Sequence, residues 1–186
     1  PTQVLACLRL GYLESAQQLM QQTHVVLNPK ELDAILQDLE SQLASQETQE
    51  NPRQSKRIQR RMLALRVFRE HGLDQERLIQ PVDLPEGYTG KILLISLDSA
   101  GSQRALCLRS GDLWHREILR NTEEEMADLG FDLTMVSPVG GAWVRFDEND
   151  AVIVYDRSEE YGECDKNKAA QLIAGIYPHH SIHTKR

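Results

Sequence analysis

One histidine and one serine in this sequence occupy positions at which a protein could bind an anion and transfer a proton. His115 comes where a strand and loop give way to a predicted helix, and Ser158 lies in the turn after an apolar strand. Backbone N–H groups in such turns can bind an anion, and an imidazole can transfer a proton near neutral pH. The two residues therefore predict an oxyanion site with a histidine beside it, although each could also serve only its local helix start or turn.

Other common chemistries find little support in the sequence. It contains no Walker loop, dinucleotide-binding glycine motif, nucleophile elbow, zinc-protease motif or C-x-x-C pair. His179, His180 and His183 follow Cys164, but adjacent side chains on an extended segment point to opposite faces. Four convergent ligands are therefore not expected. We predict no metal site and no cofactor.

The C-terminal part of the chain has the pattern of a mixed sheet. Lys91 to Leu97 is a continuous apolar run of strand length, typical of a strand buried on both faces. Gly140-Gly141 is expected to form a tight turn. The fold class is α+β, with a sheet of about six strands flanked by two helices. The other predicted strands cover residues 104–108, 131–136, 142–147, 151–156 and 181–184, and the predicted helices cover 116–129 and 165–175.

The N-terminal part is predicted to be an all-helical module of about three helices over residues 1–80. Apolar side chains recur there at helical spacing, and Asn28-Pro29 is a typical helix start. Two prolines and a glycine interrupt the pattern at 81–87, which we interpret as a linker to a domain at 88–186. The predicted helices cover residues 3–22, 29–43 and 54–70, with a polar connection at 44–55.

Over roughly residues 90–184 the chain resembles the Janus family of phosphohistidine phosphatases. The order of the elements agrees with that family, and five short motifs occur in the same order. They are a Lys that opens the first buried strand, an aromatic-His pair, a Gly-rich turn, a V-Y-x-x-S-x-x-Y-G run and a Tyr-Pro pair before the last strand. In this chain they are Lys91, Trp114-His115, Gly140-Gly141-Ala142, Val154 to Gly162, and Tyr177-Pro178.

The resemblance implies a metal-independent phosphatase that removes phosphate from phosphohistidine on a protein substrate. The family's histidine acts as nucleophile or as general base, and this role falls to His115. The resemblance assigns the phosphate oxygens to Lys91, Ser158 and the backbone amides around Glu159 and Glu160, because such catalysis depends on positioning and charge stabilisation. The supporting residues would be Trp114, Gly140, Gly141, Tyr161 and Gly162.

Some positions depart from the family's pattern. Glu159 and Glu160 replace small or apolar residues and add negative charge beside the predicted anion site. Trp143 stands where the family has an Arg, and Arg145 follows two residues later on the same strand face. The aromatic residue of the pair is Trp114 rather than a tyrosine. A second hypothesis therefore stays open, in which the domain is a non-catalytic protein-binding platform.

The charge and composition of the chain indicate which partners and which cellular compartment to expect. The formal net charge is -7, yet residues 51–80 hold eight basic and three acidic side chains. Because the chain as a whole is acidic, we expect a solvated face, or one packed on the acidic first fifty residues, and no nucleic acid. The helical stripes predict a homodimer or protein partner. Three widely spaced cysteines and the lack of a long apolar run predict a cytoplasmic protein without a membrane span.

Overall fold

The computed structural model of the chain describes residues 2–98, 105–111, 114–132 and 135–186. Within these residues, eight helices and six strands form an α+β fold, and all six strands belong to one mixed sheet. The chain divides into two compact units, here called the helical unit and the sheet unit. None of the helices described is both long and apolar enough to cross a membrane. The helical unit holds Pro1–Ile79 and Glu124–Leu133, and the sheet unit holds Gln80–Glu123 and Thr134–Arg186.

The described residues of the helical unit contain six helices rather than about three. The single helix predicted over 3–22 is wrong, because the chain breaks at Gly11, whose φ of +82° is a left-handed conformation. The start predicted at Asn28 is confirmed, since its side chain accepts a hydrogen bond from the Lys30 amide. The polar connection expected at residues 44–55 is also partly helical. The helices are α1 (Thr2–Leu10), α2 (Leu13–Thr23), α3 (Pro29–Ala44), α4 (Gln46–Gln49), α5 (Pro52–His71) and α6 (Gln75–Leu78).

The arginines of α5 pair with carboxylates from two parts of the helical unit. Arg69 lies 2.7 Å from Asp33 of α3. Arg57 and Arg60 each lie 3.3 Å from an oxygen of Asp128. Burial raises the pKa of the Asp128 carboxyl, while the two guanidinium groups act in the opposite direction. The basic face of α5 is thus largely engaged within its own unit.

The sheet unit has the strand order β1-β3-β2-β4-β5-β6. The two outermost pairs, β1 with β3 and β5 with β6, are parallel, and the pairs between them are antiparallel. Two helices accompany the sheet, α7 (His115–Asp128) and α8 (Lys166–Ile176). The strands are β1 (Val82–Asp83), β2 (Gly90–Leu97), β3 (Ala105–Ser110), β4 (Val136–Phe146), β5 (Ala151–Tyr155) and β6 (Ser181–Thr184).

Side chains alternate between the two faces of the sheet, so the apolar core lies on one face and the candidate site on the other. Ile92 of β2 pairs with Ala142 of β4, and both belong to the core that includes Ala169 and Ile173 of α8. Successive side chains of a strand point to opposite faces, so the neighbours of these residues face away from α8. Lys91, Trp143 and Tyr155 share that opposite face, because they pair in register across β2, β4 and β5.

The segment expected to be a linker contributes to the sheet instead. Residues 82–83 form β1, which pairs with β3, and the side chains of Val82 and Leu84 are buried in the core. The Leu84 carbonyl also accepts a hydrogen bond of 2.5 Å from the Tyr177 hydroxyl. Proline and glycine therefore end the helical pattern here, in a segment that is anchored to the sheet by two buried side chains while Pro85, Glu86 and Gly87 are exposed.

The turn expected at Gly140-Gly141 is a β-bulge. Leu94 pairs with Gly140 but the next residue, Ile95, pairs with Pro138, so β4 carries one extra residue and continues through the glycines. The strand predicted at 142–147 is thus part of the longer strand β4, whereas the strand predicted at 131–136 is wrong, because only Val136 of its described residues lies in a strand. Residues 104, 133 and 134, which the predicted strands included, lie outside the described residues.

Candidate active site

The candidate site is built around Gly141 of β4. A Cβ atom on Gly141 would lie 2.7 Å from both Cδ2 and Nε2 of His115 and 2.8 Å from the Cβ of Ser158. Real Cβ atoms do not approach other atoms so closely, and only glycine leaves room for both side chains. Gly141 thus brings together the start of α7 and the loop after β5.

Backbone contacts at the same bulge fix the loop that carries Ser158. The Gly141 amide donates to the Gly162 carbonyl at 3.0 Å, and the Gly141 carbonyl accepts from the Cys164 amide at 3.1 Å. Gly140 has a φ of +122°, and a Cβ there would lie 2.6 Å from the Glu163 carbonyl oxygen. The two glycines therefore allow the loop to pack directly on the strand.

His115 is buried and its ring orientation is fixed. Its side chain is 4% exposed, and Nε2 lies 3.2 Å from the Ala142 carbonyl oxygen. A carbonyl can only accept, so this bond places a proton on Nε2 and leaves the lone pair of the neutral ring on Nδ1. Burial lowers the pKa of His115 below its ordinary value, and the Lys91 charge acts in the same direction. The Ala142 and Ile92 carbonyls and Glu160 oppose this shift.

This pKa shift predicts a pH dependence of stability. Below the ordinary value of 6.5, the unfolded chain protonates His115 while the folded chain does not. The unfolded state then binds more protons, so the free energy of unfolding falls as pH falls from about 6.5 towards the folded pKa. We expect His115→Gln, whose amide can still donate to Ala142, to lose this dependence. Urea unfolding of both proteins between about pH 7 and pH 5.5 measures it, and equal slopes would contradict the prediction.

The turn at Ser158 presents backbone donors. Ser158 and Gly162 exchange backbone hydrogen bonds of 3.2 and 3.1 Å, and the Ser158 Oγ accepts from the Tyr161 amide at 3.1 Å. No described residue accepts a hydrogen bond from the amides of Glu159 and Glu160, whereas both of their side chains are exposed. The two carboxylates therefore lie in solvent, where water screens their repulsion of an anion.

Lys91 stands beside two tryptophans on the same face of the sheet. Its Nζ lies 4.8 Å from the centroid of the Trp114 ring and 5.3 Å from that of Trp143. Both distances are within the range of a cation–π interaction. Trp143, which stands where the family has an arginine, thus contacts Lys91, the residue predicted to bind phosphate. The Lys91 charge also reaches His115, since it contributes to the lowered pKa of the imidazole.

Three further residues, Arg116, Arg145 and Tyr155, extend this arrangement, although no role in the site was predicted for them. The Arg116 guanidinium lies 5.3 Å from the Trp114 ring centroid, and that of Arg145 lies 5.9 Å from the Tyr155 ring centroid. The signal was present in the alternation of β4, which places Arg145 on the face of Trp143. The register that sets Tyr155 beside Trp143 could not be read from one sequence.

The other residues considered as metal ligands or nucleophiles, among them His180 and Cys164, have structural roles. His180 packs edge-on against Phe146 and Tyr177 at 5.7 and 5.1 Å between ring centroids. Within the described part of the chain, no group of three or more His, Cys, Asp or Glu side chains is placed to hold a metal ion. Burial raises the pKa of the Cys164 thiol to about 11, so this thiol is protonated and a poor nucleophile near neutral pH.

Comparison with known protein families identifies a family to which the chain is similar. The model of a family described as the Janus/Ocnus family matches residues 77–181. These residues include β1 to β5, α7, α8 and every residue of the candidate site, but none of α1 to α5. No curated protein matches the chain.

Proposed function

Because the chain belongs to the Janus/Ocnus family, we propose that it is a protein phosphohistidine phosphatase that acts through His115. The observation that carries the proposal is the packing of His115 and Ser158 together on Gly141. This packing sets a neutral imidazole beside a turn with two backbone donors and near the Lys91 charge. A proton-transferring or nucleophilic group beside an anion site is what phosphoryl hydrolysis needs.

The lone pair on Nδ1 of His115 could act in either of two ways. As a nucleophile, Nδ1 forms a bond to phosphorus while the N–P bond of phosphohistidine breaks and the substrate imidazole takes up a proton. Water then hydrolyses the phosphorylated His115 to inorganic phosphate. As a general base, Nδ1 removes a proton from a water molecule whose oxygen attacks phosphorus directly, while the N–P bond of phosphohistidine breaks and the substrate imidazole takes up a proton. In both cases the Nε2–H bond to Ala142 orients the ring.

Three groups would hold the phosphoryl oxygens. Lys91 supplies a positive charge, and the amides of Glu159 and Glu160 supply neutral donors that point to no described acceptor. The Ser158 hydroxyl accepts from Tyr161, so its own proton can be donated to a bound oxygen. Such preorganised donors stabilise the charge that develops on a transferring phosphoryl group.

The test is a hydrolysis assay on the full chain. A histidine-containing peptide, phosphorylated with phosphoramidate, is incubated with the wild-type chain in the presence of a chelator, and released inorganic phosphate is measured. Release well above the uncatalysed rate supports the proposal. If release stays at the uncatalysed rate, and inorganic phosphate shifts no NMR signal of His115, Lys91 or residues 158–162, the proposal is wrong.

A non-catalytic binding module is the second candidate, and the burial of His115 favours it. An imidazole that is 4% exposed offers a substrate little access, and the Lys91 ammonium is already stacked near two indole rings. Such a module would bind the phosphorylated peptide without releasing phosphate. Isothermal calorimetry with the same peptide therefore separates the candidates, because binding without turnover assigns the binding role.

A further inference from the structure

A row of cations and aromatic rings lies on the face of the sheet beside His115. We call it the aromatic–cation strip. Its centre is set by strand register, since Lys91, Trp143 and Tyr155 are partners across β2, β4 and β5. Arg116 stacks on the Trp114 ring, and Arg145, which lies two residues along β4 from Trp143, stacks on the Tyr155 ring; we call these two arginines its ends. The strip contains Arg116, Trp114, Lys91, Trp143, Tyr155 and Arg145.

The ends of the strip are available to a ligand. Arg116 and Arg145 are exposed, and Trp114 is 51% exposed. Neither arginine forms an ion pair with a carboxylate of the described residues. Stacking on a ring restricts a guanidinium without neutralising its charge, so less freedom is lost when it binds an anion. The strip is thus a preorganised positive surface on a chain of net charge -7.

The described acidic groups near Arg116 and Arg145 have other hydrogen-bond partners or are exposed to solvent. The Asp147 carboxylate, which interacts electrostatically with Arg145, accepts hydrogen bonds from the amides of Asn149 and Ala151 and so belongs to the β4–β5 turn. Asp156 accepts from the Arg157 amide beside it. Glu159 and Glu160 are exposed in the turn after Ser158.

We propose that the aromatic–cation strip binds an acidic segment of the protein substrate next to its phosphohistidine. This inference rests on the proposed function, because it names what lies beside the phosphoryl group. Neighbouring strands are about 4.8 Å apart, so the three central residues span about 10 Å, or about three residues of an extended peptide. Carboxylates on that peptide would pair with Arg116 and Arg145, and its backbone and apolar groups would lie on the rings.

The test uses binding without phosphate, so that it does not depend on hydrolysis. The chain has two tryptophans, Trp114 and Trp143, and both belong to the strip, so intrinsic fluorescence reports on it directly. A glutamate-rich decapeptide is titrated into the full-length protein, and the same peptide with glutamine in place of glutamate serves as the comparison. We expect a saturable fluorescence change with the glutamate peptide only, and we expect it to weaken with salt.

Variants locate the binding on the strip. The Arg116→Gln/Arg145→Gln double variant should bind the glutamate peptide about tenfold more weakly. Arg120→Gln, which removes an exposed arginine of α7 outside the strip, should bind like the wild type. His115→Gln should also keep its affinity, so that loss of hydrolysis is distinguished from loss of docking. Equal binding of both peptides, an unaffected double variant, or tighter binding of single-stranded oligouridine would each overturn the proposal.

Discussion

The His115→Ala variant is expected to release phosphate from phosphohistidine about 1,000-fold more slowly than the wild-type chain. Alanine removes the only imidazole in the site, and with it the lone pair that either attacks phosphorus or activates water. The anion-binding groups remain, because Lys91 and the amides of the Ser158 turn belong to other elements. The loss should therefore fall on turnover rather than on the affinity for phosphate.

Single-turnover release of phosphate measures this effect, with two further variants for comparison. His115→Gln keeps a donor to the Ala142 carbonyl but has no basic nitrogen, so it should be as slow as the alanine variant. His179→Ala removes an exposed histidine outside the site and should behave like the wild type. A His115→Ala rate within about threefold of the wild-type rate would exclude a chemical role for this residue.

The Gly140→Ala variant is expected to lose about 3–5 kcal/mol of stability, because overpacking and backbone strain each cost about 1–3 kcal/mol. Its added methyl group would lie 2.6 Å from the Glu163 carbonyl oxygen and 2.7 Å from the Cα and N of Cys164. These are backbone atoms, so no side chain can rotate away. The φ of +122° adds strain for any residue with a Cβ.

Gly162→Ala is the matched control for this effect. Gly162 also has a positive φ, +77°, but no atom lies within 4 Å of its added methyl group. It should lose only about 1 kcal/mol, the usual cost of a left-handed conformation. Urea denaturation compares the two variants with the wild type. Equal losses would mean that backbone conformation, and not the contact with the loop, explains the glycine at position 140.

Local signals in the sequence were enough to predict much of the fold. The apolar run at 91–97 and the Asn28-Pro29 helix start each depend on interactions within a few residues, and both elements occur as expected. The transition to a helix at His115 is likewise local. Lys91 and Ser158 are far apart in sequence, and no local pattern links them. They could be assigned to one site only because the chain resembles a family in which the corresponding motifs occur in the same order.

Features that depend on packing could not be predicted. Two adjacent glycines can adopt the backbone conformations of a turn as well as those of a bulge. Here the bulge follows from the packing of the loop at 163–164 against them. β1 is two residues long and is stabilised by its pairing with β3, which no periodicity reveals. The burial of His115 is also tertiary, because it follows from contact with β4.

The division of helix α7 between the two units has a consequence for how they can be inherited. Its first residues belong to the sheet unit and its last residues, from Glu124, belong to the helical unit. A recombination event between codons 79 and 80 would therefore not transfer a complete helical unit. It would leave Arg57 and Arg60 without the Asp128 carboxylate that they share. Selection should thus preserve the two units as one heritable block, and new gene fusions should occur outside both of them.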